Sequence, residues 1–141
     1  MDSKNFIMVN NSLVFKVVCF FLYFVLSITY VPSYAWELIA SGGNFKEYFK
    51  GAARTGRTAS ILAMRDYKSE MSQGNVDYLS VKKLYQFECS KGKYRLMLVE
   101  KYEKNKLQGE LIYSSKTYTS WLQVSPNTLN ELALKKACKK K

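Results

Sequence analysis

The sequence predicts an α+β fold: an antiparallel sheet of about six strands, with a C-terminal helix packed on one face and stapled there by a disulfide. Three observations lead to it. From residue 36 to residue 118, apolar–polar alternations are separated by turn stretches such as Ser41-Gly42-Gly43-Asn44 and Ser90-Lys91-Gly92, the pattern of hairpin-linked strands. From Ser125 onward the apolar spacing becomes helical. Cys89 ends one alternating stretch and Cys138 ends the helical one.

The compartment comes first, because it decides what two cysteines mean. Lys4 and Lys16 lie in a polar leader, Val17 to Tyr34 carries no charge, and Pro32-Ser33-Tyr34-Ala35 ends the run with small residues at −3 and −1. This is the pattern of a secretory signal, with cleavage expected after Ala35. The alternative is an uncleaved membrane anchor, since the uncharged run is just long enough to span. Either way the domain from residue 36 to 141 is exported. Cys19 lies at the start of the apolar run rather than its end, so no lipid attachment is expected there. Without residues 1–35 the domain keeps 20 basic and 10 acidic residues, a net charge of +10. It also keeps Cys89 and Cys138 alone. Two cysteines in an exported domain predict a disulfide, and only one intramolecular pairing exists.

The strands follow in order. Trp36 to Ala40 and Phe45 to Phe49 form an opening hairpin around Ser41-Gly42-Gly43-Asn44. Lys50 to Arg57, with Gly51 and Gly56, reads as a loop. Its Lys50, Arg54 and Arg57 are the candidate ligand-binding residues, an anion-binding patch if they are more than a solvated turn. Thr58 to Tyr67 is a third strand. Ala59, Ile61 and Ala63 share one side and Leu62 and Met64 the other, which predicts a central strand. Lys68 to Leu79 is polar and contains Gly74-Asn75, so it reads as a loop of about a dozen residues.

Ser80 to Cys89 alternates strictly. Val81, Lys83, Tyr85, Phe87 and Cys89 share a face, which is expected to be the buried one. Lys93 to Lys104 returns as its hairpin partner, Asn105 to Gly109 turns, and Glu110 to Tyr118 is a sixth strand. Trp121 to Val124 links to the helix. Ser125 with Pro126, or alternatively Thr128 with Glu131, caps its start. Leu129, Leu132, Ala133 and Ala137 form its apolar stripe, Leu134 widens it toward Cys138, and the terminal lysines suit the helix dipole.

The order and spacing of several residues resemble the surface-adhesin protein E family. They are Trp36, Asp66-Tyr67, Ser80 with Lys82 and Leu84, Phe87-Glu88-Cys89, Tyr94-Arg95, Tyr102, Gly109, Trp121, Val124-Ser125-Pro126 and Leu134 to Cys138. The resemblance implies the same six-stranded sheet and stapled helix, a location in the periplasm or on the outer surface of a Gram-negative bacterium, and a capacity for homodimers. For characterised members it also implies binding of host extracellular-matrix and serum proteins. Tyr48-Phe49-Lys50 lacks the Asp of the Tyr-x-Asp segment often found in the family.

The expected function is a non-enzymatic, adhesin-like binding module of the cell envelope that engages a protein or an acidic glycan or lipid surface. The alternative is a periplasmic structural or accessory protein. The chain has no His, which removes the commonest general base and metal ligand. Two cysteines alone are too few for a metal site, so neither a metal nor another cofactor is expected. A hydrolytic carboxylate pair would have to come from Asp66, Glu88 and Glu100, but such residues on strands more often pair with Lys or Arg. A pI near 9.6 suits nucleic acid, but export argues against nucleic acid as the primary partner.

Overall fold

The computed structural model describes residues 35–139. The expected signal or anchor lies outside them. Six strands follow one another across the sheet: β1 (Glu37–Ser41), β2 (Phe45–Thr55), β3 (Thr58–Gln73), β4 (Val76–Glu88), β5 (Lys93–Tyr102) and β6 (Leu111–Ser115). All neighbours are antiparallel. A two-residue strand, β7 (Leu122–Gln123), also pairs with β5. The helix α1 (Leu129–Cys138) packs on β2, β3 and β4.

Register explains which residues are buried. Phe49 pairs with Ala63, Ile61 lies between Ala52 and Tyr85, and Ala59 lies between Arg54 and Phe87. Period two puts these positions on one face. The core there contains Phe49, Ala59, Ile61, Ala63 and Phe87, with Ala133 and Ala137 supplied by α1. The small helix residues let the backbone lie close to the sheet, and Phe87 is fully buried. Tyr85, Cys89, Tyr94, Val124, Leu134 and Cys138 close the rim of this cluster.

The disulfide joins Cys89 to Cys138 across 49 positions of sequence, with Cα atoms 5.6 Å apart. Cys89 follows the last residue of β4, one position beyond Glu88 and on the side of Phe87, as its parity predicts. Thr128 caps α1: its Oγ1 accepts from the Glu131 N–H at 3.3 Å, and the Glu131 carboxylate accepts from the Asn127 N–H at 2.9 Å. The Thr128–Glu131 alternative is therefore the cap in use.

Four expectations need correction. Lys50 to Thr55 is strand, because Gly51, at φ 56°, forms a bulge where the register slips between Lys50 and Ala52. A left-handed glycine is what this kind of bulge requires. Lys68 to Leu79 is mostly hairpin, with Met71, Ser72 and Gln73 facing Tyr78, Asp77 and Val76 around Gly74-Asn75. Polar residues populate this ladder because most of it is exposed, with Tyr78 the buried exception. Leu132 is 43% exposed and does not join the helix stripe; Ala133, Leu134, Ala137 and Cys138 form the buried contact instead. The sixth strand is also shorter than Glu110 to Tyr118, since β6 ends at Ser115.

Candidate functional site

The chain carries more cations than its carboxylates can neutralise, and the structure sorts them. Among the described residues, ion pairs take up Arg65 with Glu47, Lys82 with Glu100, Lys91 with Glu88, Lys135 with Glu131 and Lys136 with Glu37. Lys50, Arg54, Arg57, Lys83 and Lys101 have no carboxylate partner among the described residues.

The three cations singled out by sequence do not form one cluster. Lys50 pairs with Leu62 in β3 and so points to the face opposite α1. Its ammonium stands 5.7 Å from the Trp36 ring centre, and it borders a shallow hollow of about 360 Å3 with Ala53, Leu62 and Leu84. Arg54 points to the α1 side, where its Nη1 donates to the Cys138 carbonyl at 3.1 Å. Arg57 sits in the β2–β3 turn, and its carbonyl accepts from the Cys89 N–H at 3.2 Å. Arg54 therefore meets the end of α1, and the Arg57 backbone lies against Cys89 beside the disulfide.

A second cationic place was missed by sequence reading. On the α1-bearing face, beyond the helix, β5 and β6 line a cleft of about 450 Å3 with Gln73, Val76, Leu96, Val99, Lys101, Tyr113, Ser115, Thr117 and Thr119 along it. It exists because β6 leaves β5 after the Val99–Ser115 pair, while β7 rejoins at Tyr94–Leu122. The intervening chain is held by Thr119, whose Oγ1 accepts from the Leu96 N–H at 3.0 Å and whose N–H donates to the Leu96 carbonyl at 3.1 Å.

Lys101 is the centre of this cleft. It is only 7% exposed. Its Nζ lies 4.4 Å from the Tyr78 ring centre and 5.1 Å from that of Tyr113, and it donates to the Gln73 Oε1. Ring faces attract an ammonium through their quadrupole. Its inward side is set by register: Lys101 pairs with Val81, on the same face as Lys83 and Phe87.

Nearby on that face, burial pushes the Lys83 ammonium below its ordinary value; the Arg65 charge adds to this and Glu47 opposes it. Burial also pushes the Tyr85 phenol up, and Glu47 adds to that. On the opposite face, burial would raise the Glu100 carboxyl, but the hydrogen bonds from Lys82 and Tyr102 outweigh it and hold the group below its ordinary value.

The three carboxylates that would supply hydrolytic chemistry are occupied. Glu100 pairs with Lys82 at 2.5 Å, Glu88 with Lys91 at 2.9 Å, and Asp66 accepts from the Lys106 N–H at 2.7 Å. No group of three or more metal-binding side chains occurs among the described residues.

The profile of the surface-adhesin protein E family matches residues 36–139. The chain belongs to the surface-adhesin protein E family. No curated protein and no solved structure matches it. Membership makes this an adhesin-like exported or surface protein and points to a non-enzymatic role. The match begins at Trp36 and runs through both cysteines to Lys139.

Proposed function

We infer that this domain is an exported binding module of the bacterial envelope that engages acidic groups on surface glycans or proteins, and that it performs no catalysis. The observation that carries the reading is the set of cations left without carboxylate partners in a member of an adhesin family. Arg54, hydrogen-bonded to the Cys138 carbonyl at the end of α1, and Arg57, whose backbone meets Cys89 beside the same disulfide, supply the main contact, and Lys50 is a separate cation on the opposite face. An exposed cationic surface raises the local concentration of anionic partners and speeds their capture.

The disulfide-intact domain, immobilised and offered cell-surface and envelope extracts at two salt concentrations, should retain acidic material at low salt and release it at high salt. Equal retention at both, or retention unchanged by Arg54→Ala with Arg57→Ala, would contradict the reading.

A further inference from the structure

We propose that the cleft between β5, β6 and the 115–119 segment binds a carboxylate-bearing sugar ring of an acidic saccharide. This rests on the reading of the domain as a binder of acidic groups, and it names a site and a ligand class for that reading.

The argument starts from Lys101. An ammonium removed from water needs compensation. Lys101 has two tyrosine faces and one amide oxygen, and no carboxylate among the described residues. An ammonium has three donors, and only the bond to Gln73 engages one of them within the protein. A ligand carboxylate entering the cleft would supply both the missing charge and an acceptor.

The rest of the lining selects a sugar. Lys101 is the single charged residue along the cleft, which matches one negative charge better than a phosphate dianion. No arginine fork is present for bidentate phosphate recognition. Tyr113, 43% exposed, offers a flat ring at the rim on which the C–H face of a pyranose can lie. Ser115 and Thr117 are hydrogen-bonded to each other at 2.7 Å, and Thr119 Oγ1 accepts from the Leu96 N–H. The first pair still has one hydroxyl proton to donate outward, and Thr119 has its own. A row of hydroxyl donors and acceptors beside one aromatic plate and one cation suits a polyhydroxylated ring with a single carboxylate. An acidic peptide would not use that row, because its backbone needs a strand edge or matched amide partners.

The test titrates the disulfide-intact domain by calorimetry with trigalacturonate, its methyl ester, a tri-glutamate peptide and inorganic phosphate. Saturable binding of trigalacturonate is expected, with the ester weaker by about tenfold or more. Lys101→Met, which keeps the stem and removes the charge, should weaken trigalacturonate by about tenfold. Tyr113→Leu, on the exposed rim, should weaken it roughly threefold to tenfold and carries the test if Lys101→Met fails to fold. The proposal is overturned if trigalacturonate does not saturate, if the ester, tri-glutamate or phosphate binds as well, or if neither foldable variant changes the affinity. Salt-sensitive capture of surface extracts is measured on the same preparation. If capture persists while trigalacturonate is ignored, only the cleft assignment falls; if capture is lost too, the wider reading falls with it.

Discussion

Lys83 and Lys101 occupy inward positions on neighbouring strands, Lys83 opposite Val99 and Lys101 opposite Val81. Each puts a cation where an apolar side chain would pack more cheaply. Burial holds the Lys83 ammonium below its ordinary value of 10.5. The unfolded chain therefore binds more protons than the native one just below that value, so native stability rises with pH there. Lys83→Met should accordingly raise the melting temperature at neutral pH by about 4 °C, on the order of 0.5–1 kcal/mol. That gain should shrink as pH climbs toward 10.5; a gain independent of pH across this range would refute the account of Lys83. Ser80 is the opposite case, a fully buried polar group with every bond made. Its Oγ donates to the Lys104 carbonyl at 2.5 Å and accepts from the Leu107 N–H at 3.0 Å. Asp66 and Asn105 hold the same short 3-10 turn, in which Lys106 and Leu107 take φ of 58° and 59°. Ser80→Ala should cost roughly 1–3 kcal/mol in chemical denaturation, because it leaves the Leu107 N–H unpaired inside the protein. Lys83 was legible in the sequence through the strict alternation of Ser80 to Cys89. Lys101 was not, because β5 carries a continuous apolar run and a register shift, and the inward side of Lys101 is set by its pairing with Val81. The clasp at Ser80 was not, because it depends on a loop from a distant part of the chain folding back over β3 and β4.

At the scale of elements, local signals placed the strands but misjudged their ends. Gly51 and Gly56 look alike in the sequence, yet Gly51 bends a continuing strand and Gly56 belongs to the turn; only pairing with β3 distinguishes them. Gly74-Asn75 is a hairpin dipeptide whose flanks were too polar to read as strands, because little of this ladder is buried besides Tyr78. The helix was legible from its cap residues and spacing, apart from Leu132. What commits α1 to its face is the Cys89–Cys138 bond, since its buried contribution to the core is small: Ala133 and Ala137, with Leu134 at the edge. Replacing both cysteines by Ala should lower the unfolding free energy by about 4 kcal/mol in the chain-entropy account of a loop this long. Against a total of about 5–15 kcal/mol for a small domain, that is a large share. Urea unfolding of the two forms measures it, and a difference below about 1 kcal/mol would show that helix packing holds without the bond.

At the scale of the molecule, the sheet divides the cations between two faces. Arg54 and Arg57 lie by the disulfide and the end of α1, Lys101 lies in the cleft on the same face, and Lys50 lies on the other beside Trp36. A linear sequence shows the excess of charge but not this partition, which follows from the Gly51 bulge and from the separation of β6 and β7. The cations that remain unpaired are the basis of the binding role, so screening should weaken binding without unfolding the domain. The direct measurement is the dissociation constant of the disulfide-intact domain for polygalacturonate at about 50 mM and about 500 mM salt, where the Debye length falls from roughly 14 Å to roughly 4 Å. The account predicts binding at the lower salt, weakened by about tenfold or more at the higher, with the melting temperature essentially unchanged. Binding equally tight at both concentrations, or absent at both, would contradict it.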